Sequence, residues 1–255
     1  MSAHTYRPEF FDYIETGSVR SAEIVVPAVR SLLAVGSVLD VGCGRGAWLS
    51  EWRRHGVADI AGVDGVYVAS ERLLIPTDRF MARDLARPID LGRRFDLVQS
   101  LEVAEHLAES AADVFVDNLV RHGSVILFSA AVPGQGGEHH VNERPYGYWR
   151  DKFLARGYAL FDAVRPLLAG DRRVEPWYRY NLLLFASRSA VERLAATAQA
   201  RRLGDDEDVP DVSPVAYRAR KLVLRALPAS CVSRLAMTKH GLVNLLRRRA
   251  AGVNG

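Results

Sequence analysis

The chain carries two cysteines, Cys43 and Cys231, too few and too far apart for a disulfide framework or a thiolate metal knot. No apolar run approaches the roughly 18 residues a bilayer-spanning helix needs. The opening residues, Met-Ser-Ala-His-Thr-Tyr-Arg-Pro-Glu, lack the basic start and apolar stretch of a secretory leader. Together these absences predict a cytoplasmic protein. Lysine is scarce too: Lys152, Lys221 and Lys239 are the only three among 34 basic residues. With so much alanine alongside, the arginine excess reads as composition bias, which argues against a nucleic-acid partner. No internal repeat stands out, and no Pro/Gly linker divides the first 190 residues.

What is present is ordinary for a globular chain: 49% hydrophobic and 25% charged residues over 255 positions. That length suits one α/β domain with an appendage. Charge is unevenly spread. Pro214–Gly255 holds nine Arg or Lys and no acid, so this tail is +9 and the rest is 4 − 9 = −5.

Short apolar runs predict strands over Ser37–Gly42, Ile60–Asp64, Phe80–Ala82, Phe95–Leu101, Ser124–Ala130, Ala159–Val164 and Asn181–Ser187. Helical spacing predicts helices over Val19–Val35, Arg45–His55, Val66–Leu74, Ser110–Arg121 and Pro145–Arg156. Alternation of this kind predicts a doubly wound, mostly parallel sheet with helices on both faces. One domain is expected over 1–190, with 1–35 as an N-terminal helical lid or packing segment. Residues 191–255 are expected to form a basic helical C-terminal extension, with helices at Ala190–Leu203, Val215–Leu227 and Cys231–Arg249.

The most informative stretch is Ser37-Val-Leu-Asp-Val-Gly-Cys-Gly-Arg-Gly46, a strand running into three alternate glycines. Gly42, Gly44 and Gly46 permit a sharp turn and close approach of a ligand to the main chain. Asp64, ending the next strand, can take both hydroxyls of a ribose. A pyrophosphate, as in a dehydrogenase cofactor, would be repelled by Asp40, two residues before the first glycine. That carboxylate suits the ammonium of an amino-acid moiety instead. S-adenosylmethionine has such an ammonium, a ribose, a sulfonium and no phosphate.

On these residues the chain resembles the class I S-adenosylmethionine-dependent methyltransferases. Val38–Gly46 matches that family's first motif, Asp64 its ribose-binding acid, Asp84 the acid that accepts from the adenine amino group, and Phe95–Ser100 its fourth strand. The resemblance implies a Rossmann-like seven-stranded sheet with the last strand antiparallel. The cofactor-binding set is then Asp40, Gly42, Cys43, Gly44, Gly46, Asp64, Gly65, Asp84, Leu85, Ser100 and Leu101. Cys43 also reads as a small packing residue, and Asp84 as a turn cap.

After the fourth strand, Glu102, Glu105 and His106 stand at i, i+3 and i+4, one side of a helical turn. Two carboxylates and an imidazole there can hold Mg²⁺, Mn²⁺ or Zn²⁺. A fourth ligand is available in the loop Gly136-Gly-Glu-His-His-Val-Asn-Glu143. The E-x-x-E-H pattern with a distant histidine is similar to metal-dependent O-methyltransferases, which implies Glu102, Glu105, His106 and either His139 or His140 as ligands. The competing reading is metal-free: His139 or His140 acts as general base, Glu143 or Glu138 orients its ring, and His106 supports the site.

Aromatics Tyr146, Tyr148, Trp149, Trp177, Tyr178 and Tyr180 could stack on a sugar or planar acceptor; Trp149 and Phe153, four apart, read equally as core. The Phe128–Glu143 string looks like bacterial methyltransferases of surface glycans and specialised metabolites. The reading is therefore O-methylation of a sugar or other small-molecule hydroxyl. An RNA ribose 2′-O-methyltransferase, an N- or C-methyltransferase and a non-catalytic binding module are the alternatives. For the basic tail, docking on the domain, a homodimer contact and a membrane-surface helix all remain open.

Overall fold

The computed structural model describes residues 8–228 and 231–238, with side chains described from Ile14 onward. Seven strands form one sheet: β1 Ser37–Val41, β2 Asp59–Asp64, β3 Phe80–Ala82, β4 Leu97–Leu101, β5 Val125–Ser129, β6 Tyr158–Phe161 and β7 Leu183–Ser187. Their order is β3-β2-β1-β4-β5-β7-β6, with β7 antiparallel to both neighbours. The Rossmann-like fold expected from the resemblance is the one observed.

Helices cover both faces because the central strands are apolar on both sides; β4 and β5 are buried at every position. On one face lie α1 (Pro8–Arg30) and α2 (Ala47–Arg54), whose Ala22, Val25, Val29, Leu49 and Trp52 enter one core. On the other lie α3 (Ala112–His122) and α4 (Tyr146–Leu154), which contribute Phe115, Leu119, Trp149 and Phe153 to a second core. Phe153 stacks on Phe185 at 4.1 Å between ring centroids. Short helices α5 (Arg165–Leu168), α6 (Pro176–Asn181) and α7 (Ala196–Gln199) follow. The chain then forms α8 (Val215–Arg225) and a helical stretch over 231–238.

Two expected helices differ. Val66–Leu74 forms only a single 3₁₀ turn at Ser70–Arg72, because its apolar residues share no face: Val66 is 87% exposed while Val68 is buried. Ala190–Leu203 is broken by tertiary pairing. Leu194 bridges Leu33, Arg202 bridges Phe161, and the backbone of Ala195, Arg201 and Leu203 bonds the sheet domain instead of a helix. These residues are packed on the sheet domain, so no gap in packing falls at 190. Of the expected helix Cys231–Arg249, residues 231–238 are helical and 239–249 lie outside the described residues, as do residues 1–7 of the N-terminal segment. Asn181, expected in a strand, ends α6 instead.

Candidate active site

A cleft of about 860 Å³ opens at the carboxyl ends of β1, β2 and β4, where doubly wound sheets bind ligands. One end is built by the glycine loop. Gly42, Gly44 and Gly46 have φ of +87°, +53° and +84°. A Cβ at Gly42 would stand 2.3 Å from the Val103 side chain, and one at Gly46 would meet Ile75. Gly42 and Gly44 line the cleft; Gly46 instead caps α2 and is no part of the wall.

Asp40 faces the cleft from β1, 2% exposed, and its Oδ2 has no hydrogen-bond partner. Burial pushes its carboxyl up to about 7; the Gln99 amide beside it pulls the other way, and the Asp64 charge adds to the rise. Sheet register explains the neighbour: Asp40 pairs with Gln99 on β4. Trp52 of α2 donates its indole N–H to Gln99 Oε1 at 2.9 Å, while Gln99 Nε2 has no partner. A buried, orphaned acid aimed into a cleft is the feature a ligand ammonium would satisfy.

Asp64 ends β2 and accepts from the Gly44 and Gly65 N–H groups, both at 2.6 Å. The Tyr67 hydroxyl also donates to it at 2.6 Å, with the ring folded over Gly65. Its carboxyl lies above the usual range through burial, against the pull of these three donors. Oδ1 accepts from both Gly65 and Tyr67, whereas Oδ2 holds only the Gly44 N–H and keeps a lone pair for a ligand hydroxyl. Asp84 and Leu85 line the outer end; Asp84 is exposed and accepts from Ala86 N–H at 3.0 Å, the turn cap that was one of its readings. Leu101 lines the cleft, but Ser100 is a correction: its hydroxyl donates to Val41 C=O at 2.7 Å inside the sheet and faces no ligand space. Cys43 lines the cleft yet packs its sulfur against Gly62, and burial pushes the thiol up, so it is no nucleophile.

The other end holds the acids and histidines. Glu102 and His139 are the two non-glycine residues with positive φ among the described residues, each at 57°. Strained backbone of this kind clusters at functional sites. Val141 and Asn142 donate their N–H groups to Glu105 C=O, which pins the loop on the 104–106 turn. Here the His140 and His106 rings meet edge to face at 4.9 Å.

Behind the first ring stands Glu143. His140 Nδ1 lies 2.8 Å from its Oε1, and the Gly134 and Gly136 N–H groups each donate to the same carboxylate at 2.7 Å. Burial raises the Glu143 carboxyl, but His140 and the two N–H groups outweigh it and hold it below the ordinary value. Glu143 is thus ionised and fixed, and it stands behind the cleft wall.

Of the five expected metal ligands the structure brings three together. Ligand atoms of Glu105, His106 and His140 lie within 4.8 Å of one another. Both Glu105 oxygens are buried with no well-formed hydrogen bond among the described residues; burial, then the Glu102 charge, pushes this carboxyl well above its usual value, against a weaker pull from the Glu105 and Ala131 backbone. Glu102 is committed elsewhere: Gln135 and Asn181 donate to its two oxygens at 2.5 and 3.2 Å. For His139, the backbone C=O meets His106 Nδ1, at 3.3 Å. A carboxylate with two imidazoles is a donor set that fits Zn²⁺ or Mn²⁺.

Several cleft residues lie outside the glycine motif and the acid–histidine cluster. Ile14, Glu15 and Ser18 of α1 form one wall, so the N-terminal segment packs on the domain and lines the cleft at once. Tyr217, Arg220 and Leu224 of α8 close the far side. Pro176, Trp177 and Tyr178 line the wall between them. Tyr146 and Trp149 are buried structural residues instead: Tyr146 donates to Asn181 Oδ1 at 2.9 Å, and Trp149 packs on Phe128.

A buried acid near the end of β1, a glycine turn and a second buried acid ending β2 are the features of a class I S-adenosylmethionine-dependent methyltransferase. The sequence agrees: a family model described as a methyltransferase domain matches residues 13–162, more than half of the chain, and the chain belongs to that family. Among solved structures it is similar to the sugar N-methyltransferase KedS8 from a Streptoalloteichus species, with a TM-score of 0.56 at 20% identity. That match covers 74% of this chain and 95% of that one. DesVI from Streptomyces venezuelae matches with a TM-score of 0.51 at 16% identity, over 70% of this chain and 95% of that one. Likeness this distant establishes the shared fold. None of the curated proteins matches the sequence.

Proposed function

We propose that the protein transfers a methyl group from S-adenosylmethionine to a hydroxyl oxygen of a small molecule, a sugar foremost. The observation that carries this reading is the His140–Glu143 pair. An amine, once neutral, attacks without losing a further proton in the same step, whereas an aliphatic hydroxyl needs its proton removed as it attacks. With Nδ1–H donated to a fixed carboxylate, His140 presents Nε2 as the proton acceptor, the arrangement of an oriented general base. S-adenosylmethionine supplies an electrophilic methyl on a sulfonium. Asp40 holds its ammonium, Asp64 its ribose, and the walls from α1, α6 and α8 exclude water and position the acceptor. Alignment of this kind is worth about 7–11 kcal/mol of a barrier. Trp177, Tyr178 and Tyr217 offer ring faces for the apolar side of a sugar.

A divalent cation is the second reading, favoured by the two orphaned oxygens of Glu105. Glu105, His106 and His140 would hold it, and a bound cation would lower the pKa of a coordinated hydroxyl. KedS8 is named as a sugar N-methyltransferase, so N-methylation of an aminosugar is the outcome to separate. The test is turnover on matched hydroxy- and amino-sugar acceptors, with and without EDTA, the methylated atom being located by NMR. O-methylation that survives chelation and is lost in His140→Ala supports the base. Methyl on nitrogen only overturns the reading, and loss with EDTA restored by a divalent ion selects the cation.

A further inference from the structure

Helix α8 has two apolar faces, and among the described residues only one is covered. At about 100° per residue, Tyr217, Lys221 and Leu224 point to one side and meet the domain. Lys221 is buried there beside Asp211, and Tyr217 packs on Tyr180 at 5.4 Å. On the opposite side stand Val215, Ala219, Leu222 and Val223. Val215 is 72% exposed, Leu222 64% and Val223 65%. Arg218 and Arg225 flank this outward stripe along one edge and Arg220 along the other.

The rim and the charge balance together choose the occupant. Between Pro214 and Gly255 there are nine basic residues and no acid. A second copy docked on the same face by a two-fold axis would set arginine rim against arginine rim, with no acid of the helix to neutralise either. A nucleic-acid backbone would use the arginines and leave the apolar stripe unsatisfied. A bilayer with anionic headgroups satisfies both, taking the Val and Leu side chains at the acyl boundary and Arg218 among the phosphates, with the net basic charge of 214–255 adding attraction.

We propose that the outward face of α8 is a docking surface for an anionic membrane. The same helix is a wall of the cleft. Arg220 Nη1 donates to Gln135 C=O at 3.0 Å, and Arg225 Nε donates to Pro133 C=O at 2.8 Å. A Cβ at Gly134 would stand 2.2 Å from the Lys221 carbonyl oxygen, so helix and acceptor loop are in van der Waals contact. Docking through α8 therefore sets the acceptor end of the cleft beside the membrane surface. No helix among the described residues is long and apolar enough to cross a membrane, so the attachment is peripheral.

The test is flotation of the full chain with phosphatidylcholine vesicles, with and without phosphatidylglycerol, beside the Leu222→Glu/Val223→Glu double variant. Both positions are exposed, and unchanged melting temperature and S-adenosylmethionine affinity serve as the folding control. The expected result is binding to the anionic vesicles that salt weakens, and at least about tenfold weaker binding of the variant. Three results would overturn the proposal. These are no association at low salt, equal binding by the variant, and a lipid-free dimer that the variant dissociates. The readout is independent of turnover, so it stands or falls apart from the choice of acceptor atom.

Discussion

The indole nitrogen of Trp52 sits 2.9 Å from Oε1 of Gln99, and that single bond leaves the Gln99 amide nitrogen on the side of Asp40. A helix on one face of the sheet thereby sets the electrostatics of the cofactor end. Asp40 is held in a costly state, buried with an oxygen that nothing among the described residues satisfies. Burial raises its folded-state pKa to about 7, above the ordinary carboxylate value. The folded protein therefore holds this proton more tightly than the unfolded chain, and stability falls as pH rises from about 4 to 7. Asp40→Asn should raise the melting temperature of the ligand-free protein at pH 8 by several degrees. The same change should weaken S-adenosylmethionine binding by on the order of 2–5 kcal/mol. Thermal melts at pH 5 and 8 check the first half, since the gain should shrink at pH 5.

A pH dependence of binding follows from the same group. The cofactor ammonium needs Asp40 ionised, so affinity should be highest above pH 7. Below it, affinity should drop by up to about tenfold per unit as a proton competes for the carboxylate. Binding measured from pH 6 to 8 checks this slope, and a flat profile in the wild type would contradict the placement of the ammonium at Asp40.

For the acceptor end, His140→Ala should cut turnover by on the order of 10²–10⁴ while leaving S-adenosylmethionine affinity unchanged. Glu143→Gln should cost less, because the ring remains and only its orientation and charge support weaken. Separate determination of kcat and cofactor Kd distinguishes this from a loop that has simply unfolded.

Gly134 has φ +82° and lies against the Lys221 backbone. Gly134→Ala must move either α8 or the loop, at a cost of order 1–3 kcal/mol. Its N–H bond to Glu143 would be lost in the process. The expected outcome is a raised acceptor KM with cofactor binding retained, seen in steady-state kinetics with each substrate varied in turn.

Much of this was legible in the linear chain because it is local. A strand, a glycine turn and an acid at the next strand end are contiguous or nearly so, and Asp40, Asp64, Gly42 and Gly44 stand where the motif implies. The i, i+3, i+4 spacing at Glu102–His106 marked the acceptor end. It missed that Glu102 faces Gln135 and Asn181, since a φ of +57° turns the chain out of helical register there. Ser100 was misplaced by alternation along β4. Gln99, Trp52 and the walls from α1 and α8 depend on strand register and on contacts between residues far apart in sequence, which no window of the sequence carries.

The most direct test titrates the intact protein and its Asp40→Asn variant with S-adenosylmethionine by isothermal calorimetry at pH 8. Saturable one-to-one binding by the wild type, lost or severely weakened in the variant, is the expected result. No heat of binding in a folded wild type, or equal affinity in both, would contradict the account.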